Sequence, residues 1–204
     1  MANENNASLK GKKIATQTIV GIGLLTAIVV VLQFISMGLR FSAFSITLTL
    51  VPIVVGAALY GWKAGAWLGF VFGVAVLLTG DANAFLTVNV PGTIITVLAK
   101  GTLSGLCAGA VYRLVSRKNQ IVAVLLASIT APVVNTGVFL IGCVIFFLDT
   151  IKVWANGANI VAYMLIGFVG INFLIELGTN LILNPAIVTI INVGKKSIAK
   201  KKTR

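Results

Sequence analysis

The stretch IVAYMLIGFVGINFLIELGTNLILNPAIVTIINV (Ile160–Val193) decides the fold, because it reads either as one long helix or as two short ones. Its interruptions are Glu176, a few asparagines and the Asn184-Pro185 step. A helix needs about 20 apolar residues to cross the hydrocarbon core, and the rest of the chain offers five further apolar runs. One helix here therefore gives six spans and two give seven. Charge separates the alternatives. With six spans both ends of the chain share one side. That side carries Lys10, Lys12, Lys13, Lys63, Arg113, Arg117, Lys118, Lys195, Lys196, Lys200, Lys201, Lys202 and Arg204, and the other carries only Arg40 and Lys152. Positive charge concentrates on the cytoplasmic face, whereas seven spans would place the basic tail outside. The sequence thus predicts an all-α membrane protein, a compact bundle of six transmembrane helices with both termini cytoplasmic. Residues 1–193 form its single transmembrane domain and residues 194–204 a basic cytoplasmic tail, expected to fray from Gly194 onward.

Working outward, the other spans are read as Thr18–Met37, Ile46–Trp62, Ala64–Thr79, Thr93–Val115 and Ile121–Leu148. The first run is too long for the apolar core of a signal peptide and has no small-x-small cleavage site, so it is read as an uncleaved span. Pro52 is expected to kink the second span, and Gly61-Trp62-Lys63 to turn tightly at an interface. Gly80–Gly92, Arg113–Gln120 and Asp149–Asn159 read as loops.

Composition removes whole classes of chemistry. The chain is 58% hydrophobic and 10% charged, against about 25% charged in soluble domains, and its mean hydropathy is +1.06. It has no histidine, which excludes His-based catalysis and His metal sites. Its two cysteines, Cys107 and Cys143, lie inside apolar runs, and its four acids are Glu4, Asp81, Asp149 and Glu176. There is no Walker A motif, G-x-S-x-G elbow or H-E-x-x-H. The expectation is a protein that is not an enzyme and holds no metal or cofactor. The net charge of +12 sets topology and meets the lipid bilayer, so no nucleic-acid partner is expected.

Small residues recur at helical spacing. Gly61, Gly65, Gly69 and Gly73 line one face of the third span, Gly101, Gly105 and Gly109 one face of the fourth, and Gly23 with Ala27 a shorter patch on the first. Small residues let helix backbones approach in lipid. The fourth-span face reads as internal packing; for the first and third, internal packing and contact with another membrane protein both stand.

Lys100 and Glu176 are the only ionisable groups well inside a span, and such groups usually face the bundle interior. Asn135 lies mid-span, and Asn172, Glu176 and Asn180 share one helix face at i, i+4 and i+8. Asn184 before Pro185 reads as a local kink. A Lys100–Glu176 salt bridge and a polar ligand site are both compatible with this pattern. Without any catalytic motif, a polar site inside a helical bundle points to solute binding or transport.

The segment ITLTLVPIVVGAALYGWKAGAWLGFVFG (Ile46–Gly73) resembles the second and third helices of substrate-binding S components of energy-coupling factor (ECF) vitamin transporters, and the six-span layout and length agree across nearly the whole chain. Gly23 and Ala27 resemble that family's alanine-xxx-alanine contact motif, with glycine at the first position, and Trp62 stands where many relatives carry proline. The resemblance implies a bacterial plasma-membrane protein that binds a vitamin from outside and docks through its first three helices on a T component coupled to two ATPase subunits. It implies a substrate site formed by helices four to six and the outer loops, which would hold Lys100, Asn135, Asn172 and Glu176, with Arg40 and Asn89 contributed from outer loops. VPIVVGAALYG (Val51–Gly61) and VNTGVFLIG (Val134–Gly142) are most similar to pantothenate-type S components. Pantothenate is a small anionic amide-diol, whose carboxylate Lys100 could meet and whose amide and hydroxyls suit asparagines. Riboflavin- or folate-type S components, and a non-transporting membrane scaffold, are the alternatives.

Overall fold

The structure, a computed structural model, describes residues 2–38, 40–41, 44–45 and 48–202. Its helices are α1 (Ala2–Gly38), α2 (Leu50–Tyr60), α3 (Trp62–Leu78), α4 (Asn83–Leu86), α5 (Val90–Val115), α6 (Gln120–Phe146), α7 (Leu148–Ala155), α8 (Ile160–Ala162), a π-helical segment Tyr163–Gly170, α9 (Ile171–Ile182) and α10 (Asn184–Lys202). Between α1 and α2, two-residue strands β1 (Arg40–Phe41) and β2 (Phe44–Ser45) pair antiparallel.

This is an all-α membrane protein. Three helices are long and apolar enough to cross a bilayer alone: the Thr16–Ser36 portion of α1, α5 and α6. The α9–α10 pair, bent by 50°, passes the same test when taken together. At about 1.5 Å per residue, the 17 residues of α3 span roughly 25 Å and the 11 of α2 only roughly 16 Å. Large apolar side chains face outward, among them Ile19 (69% exposed), Ile145 (65%) and Ile182 (80%). Water would penalise that surface and lipid does not.

Several boundaries differ from the sequence reading. α1 begins at Ala2, so the polar segment continues the first span as helix instead of preceding it. α2 is shorter than Ile46–Trp62; Ile46 lies outside the described residues, and Gly61 (φ +93) ends the helix with a turn only glycine makes cheaply. Pro52 falls in the first turn of α2, where a missing N–H breaks no helical hydrogen bond. The expected outer loops contain α4 and α7. The tail past Gly194 is helical to Lys202, where fraying had been expected; α10 runs across the 193/194 boundary unbroken. The break at Leu183 before Asn184-Pro185 is the expected kink; Pro185, in the first turn of α10, has no N–H to give the Leu181 carbonyl, so the helical ladder is interrupted there.

Long-range contacts sort the elements by end. At one end an added Cβ on Gly21 would meet the Tyr60 side chain, one on Gly194 would meet Leu59 and one on Gly109 would meet Trp62. Lys195 Nζ donates to Tyr112 Oη there at 2.7 Å. At the other end, buried Gln33 donates from Nε2 to Thr79 Oγ1 (3.4 Å) and to Asp81 Oδ2, while Thr49 Oγ1 donates to Gln33 Oε1 (3.3 Å). The early part of α1, the α2–α3 turn and the late part of α10 therefore share an end.

The glycine faces of α3 and α5 meet each other. A Cβ on Gly65 would run into the Gly105 carbonyl, one on Gly69 into the Gly101 carbonyl, and one on Gly73 would lie 2.9 Å from the Val97 carbonyl. Gly65, Gly69 and Gly73 of the third span thus pack internally against the fourth-span stripe, while Gly61 has nothing within 4 Å of its Cβ position. The main core lies alongside, with Leu50, Ile53, Val54, Leu68, Ile187 and Ile191 fully buried.

Candidate ligand site between α5, α6 and α9

α5 is launched by Asn89, whose Oδ1 accepts from Gly92 N at 2.9 Å as the helix N-cap. Capping satisfies a donor with no intrahelical partner. The sequence reading put Asn89 against ligand; the structure gives its side-chain oxygen to the backbone. α5 then carries Thr96 and Lys100 on one face. Lys100 is partly buried, and its Nζ lies 5.2 Å from the Phe139 ring centroid on α6. Phe139 meets Phe85 edge-on at 5.5 Å, and Phe85 meets Phe147 at 5.0 Å and Trp154 at 5.8 Å. These rings pack edge-on against one another beside Lys100.

α6 carries Asn135 one turn before Phe139. Pro132 inside the helix has no N–H to give the Ser128 carbonyl, and the neighbouring Ala131 carbonyl accepts from Ser104 Oγ of α5 at 2.8 Å. Asn135, 7% exposed, donates from Nδ2 to Glu176 Oε2 at 3.4 Å. Glu176 is equally buried. One turn along α9, Asn180 donates from Nδ2 to the Glu176 carbonyl at 2.8 Å. One turn further, Asn184 donates to Ser128 Oγ at 3.4 Å, so it joins α10 to α6 as well as marking the kink.

Lys100 and Glu176 lie within electrostatic reach of one another, yet they form no ion pair; among the described residues the ion pair is Lys152–Asp149 at 2.8 Å, on exposed α7. The salt-bridge alternative is therefore not realised. Among the described residues, three buried side-chain oxygens have no hydrogen-bond partner: Thr96 Oγ1, Asn135 Oδ1 and Asn180 Oδ1. Buried polar atoms are nearly always paired, and all three belong to this seam.

The structure thus brings together Lys100, Asn135 and Glu176, and places Asn172, partly buried, one turn before Glu176 on α9. Arg40 sits on β1 and its side chain lies outside the described residues. Gly23 and Ala27 are exposed on α1, and nothing lies within 4 Å of where a Gly23 Cβ would be. The candidate site residues named from sequence omitted Thr96 and the aromatic group. Thr96 stands four residues before Lys100, a spacing that would have found it. The Phe85–Phe139–Trp154 contacts join three distant segments and leave no local signal. Outside the membrane, the Asp149 carboxyl is held below its usual range by the hydrogen bond and charge of Lys152. Among the described residues no group of His, Cys, Asp and Glu converges as a metal site. The arrangement sets a cation on α5 within electrostatic reach of a cluster of buried oxygen acceptors on α6 and α9.

A family model described as the substrate-specific component of ECF transporters matches residues 17–188. No curated protein and no solved structure matches the chain.

Proposed function

The chain belongs to the ECF transporter substrate-specific component family, and on that premise we propose that it is the S subunit that captures pantothenate at the outer face of the bacterial cell membrane. As a family member it serves a small-molecule substrate and works in the membrane with a T component and ATPase subunits. The observation that carries the finer reading is the buried polar cluster of Lys100, Asn135 and Glu176 in an otherwise apolar bundle. Charged and polar groups in membrane interiors mark substrate sites. In this reading the ligand carboxylate meets Lys100, which has no carboxylate of its own to pair with, and the amide and hydroxyls meet Asn135 and Glu176. The aromatic side chains above are engaged edge-on with each other, which favours a small aliphatic ligand over a large stacked ring.

Counting α2 and α3 as spans gives six, with both termini cytoplasmic and residues 194–204 as the basic tail. The exposed Gly23–Ala27 patch supplies the flat face for the T component. The deciding experiment is mass spectrometry of ligand retained by the protein purified in mild detergent. The expected mass is that of pantothenate; a flavin or pterin mass would replace it with a riboflavin or folate type. No retained ligand and no saturable binding across a vitamin panel would favour a scaffold.

A further inference from the structure

The three unpartnered oxygens carry more than the location of the site. Thr96 is 4% exposed, Asn135 7% and Asn180 0%, and a buried acceptor left unmade costs stability that a simple apolar residue would not. Each has lost the water it would hold in an unfolded chain and gained no protein donor. They are not scattered. Asn180 follows Glu176 by one turn on α9, and Asn135 faces Glu176 across the α6–α9 seam. Asn135 Oδ1, Asn180 Oδ1 and the Glu176 carboxylate are all acceptors, and each asparagine Nδ2 has one of its two N–H donors engaged. The cluster on α6 and α9 can therefore accept more hydrogen bonds than its two remaining amide N–H groups can supply. On α5 the character is reversed. Lys100 Nζ faces the Phe139 ring with no carboxylate within 4 Å, and Thr96 lies one turn above it on α5.

We infer that the site has two poles and that its ligand matches both: an anionic group for Lys100 and Thr96 at one end, and at least two O–H or N–H donors for Glu176, Asn135 and Asn180 at the other. Asn180 and Thr96 become specificity-determining residues. The inference rests on the S-component reading of this same site and narrows it. A carboxylate with an apolar far end is excluded as cargo, because it would leave the three-acceptor cluster unsatisfied under an excluded solvent. A site built to bond such donors rejects the analogue that lacks them.

The test uses the full chain in lipid nanodiscs with three probes: pantothenate, its alcohol in which CH₂OH replaces the carboxylate, and N-(3,3-dimethylbutanoyl)-β-alanine, which keeps carboxylate and amide but lacks both hydroxyls. The wild type is expected to prefer pantothenate over the dehydroxylated probe by about tenfold to a hundredfold, the range for hydrogen bonds to a charged group. Asn180→Leu should erase much of that preference while leaving the preference for carboxylate over alcohol. Lys100→Met should do the opposite. If Asn180→Leu keeps the full hydroxyl preference, the acceptor pole is wrong and the S-component reading stands. If the wild type binds none of the three, pantothenate is not the cargo, and the poles are then judged without ligand. Thr96→Val removes a buried unpartnered oxygen and no hydrogen bond, so Tm of the ligand-free protein should hold or rise. A clear fall in Tm for Thr96→Val would show that its hydroxyl supports the fold, and would overturn the proposal whatever the cargo.

Discussion

The α3–α5 seam and the α6–α9 seam are built from different residue types to opposite effect. In the first, Gly65, Gly69, Gly101 and Gly105 put backbone against backbone, so that any Cβ would collide. The second is bridged by polar side chains; Gly137 and Gly178, two residues past Asn135 and Glu176 and so turned away from the α6–α9 seam, have nothing within 4 Å of a Cβ position. Its cross-helix hydrogen bonds, Asn135–Glu176 and Asn184–Ser128, are long at 3.4 Å, and two of its asparagine oxygens have no partner. Its α9 is flanked by the π-helical segment and the 50° bend, and π-helical turns occur often at functional sites. One seam is closed by backbone against backbone, and the other carries acceptors that its own donors leave unmet. Close-packed seams resist deformation; loosely bonded ones accept a guest.

The sharpest way to break this contrast is to add bulk on both sides of it. Gly69→Leu and Gly101→Leu should each abolish recovery of monodisperse protein. Overpacking costs about 1–3 kcal/mol where side chains can yield, and here the obstacle is a carbonyl of the facing helix. Gly178→Ala, on the face of α9 turned away from the α6–α9 seam, should leave Tm unchanged or slightly higher, because alanine is favoured over glycine in helices by about 0.5–1 kcal/mol. Size-exclusion profiles and Tm in one detergent decide the comparison. Full tolerance of leucine at Gly69 would mean that the α3–α5 seam is not closed by backbone contact.

A third glycine environment tests whether the closed half is also the half that docks. Gly23 and Ala27 are exposed, close to Trp67, whose Nε1 donates to Thr26 Oγ1 at 3.2 Å and so fixes α1 on α3. Gly23→Leu with Ala27→Leu should abolish vitamin uptake in cells and co-purification with the T component while ligand affinity of the isolated chain is retained. Uptake at the wild-type rate would move the docking face elsewhere.

A smaller effect is expected within the open seam. Lys100→Met should weaken pantothenate binding by about 1–3 kcal/mol, the scale of a hydrogen bond between charged groups, and should spare the alcohol analogue. Because Lys100 and Glu176 form no ion pair, the stability of Lys100→Met, Glu176→Gln and the double variant should be nearly additive. A coupling above about 1 kcal/mol in that cycle would restore the salt bridge and remove Lys100 from the ligand.

Much of this contrast was legible in the sequence. Every-fourth-residue glycines named the α3 and α5 faces, since helical spacing fixes which residues share a face, though only the structure shows that the two stripes meet. Glu176 and Asn135 stood out because polar residues are rare in apolar runs. What could not be read was pairing. Nothing local distinguishes an Asn89 that caps a helix from one that binds cargo until the start of α5 is known, and nothing local says that Lys100 turns to Phe139 instead of Glu176. The length of α2 was misjudged because apolar composition continues upstream of Leu50. The helix in Asp149–Asn159 was missed because Lys152 and two asparagines look like loop chemistry, while Ile151 and Trp154 pack inward.

The smallest effect should come from a short but exposed polar contact. Lys152 Nζ lies 2.8 Å from Asp149 Oδ1, closer than Asn135 to Glu176, but the Asp149 side chain is 96% exposed. Exposed pairs lose their attraction to water and salt. Lys152 lowers the Asp149 carboxyl below its usual range, so any stabilisation is present above the unfolded value of about 3.9. It disappears as pH falls through the lower folded value. Asp149→Asn should therefore leave Tm and ligand affinity unchanged at neutral pH, and the wild type and variant should show the same Tm profile from neutral down to acid pH. Glu176→Gln, which alters the longer but buried contact, should change ligand affinity under the same conditions. If Asp149→Asn shifted Tm or affinity as much as Glu176→Gln does, burial would not be what gives the α6–α9 polar groups their weight, and the contrast between the two seams would lose its physical basis.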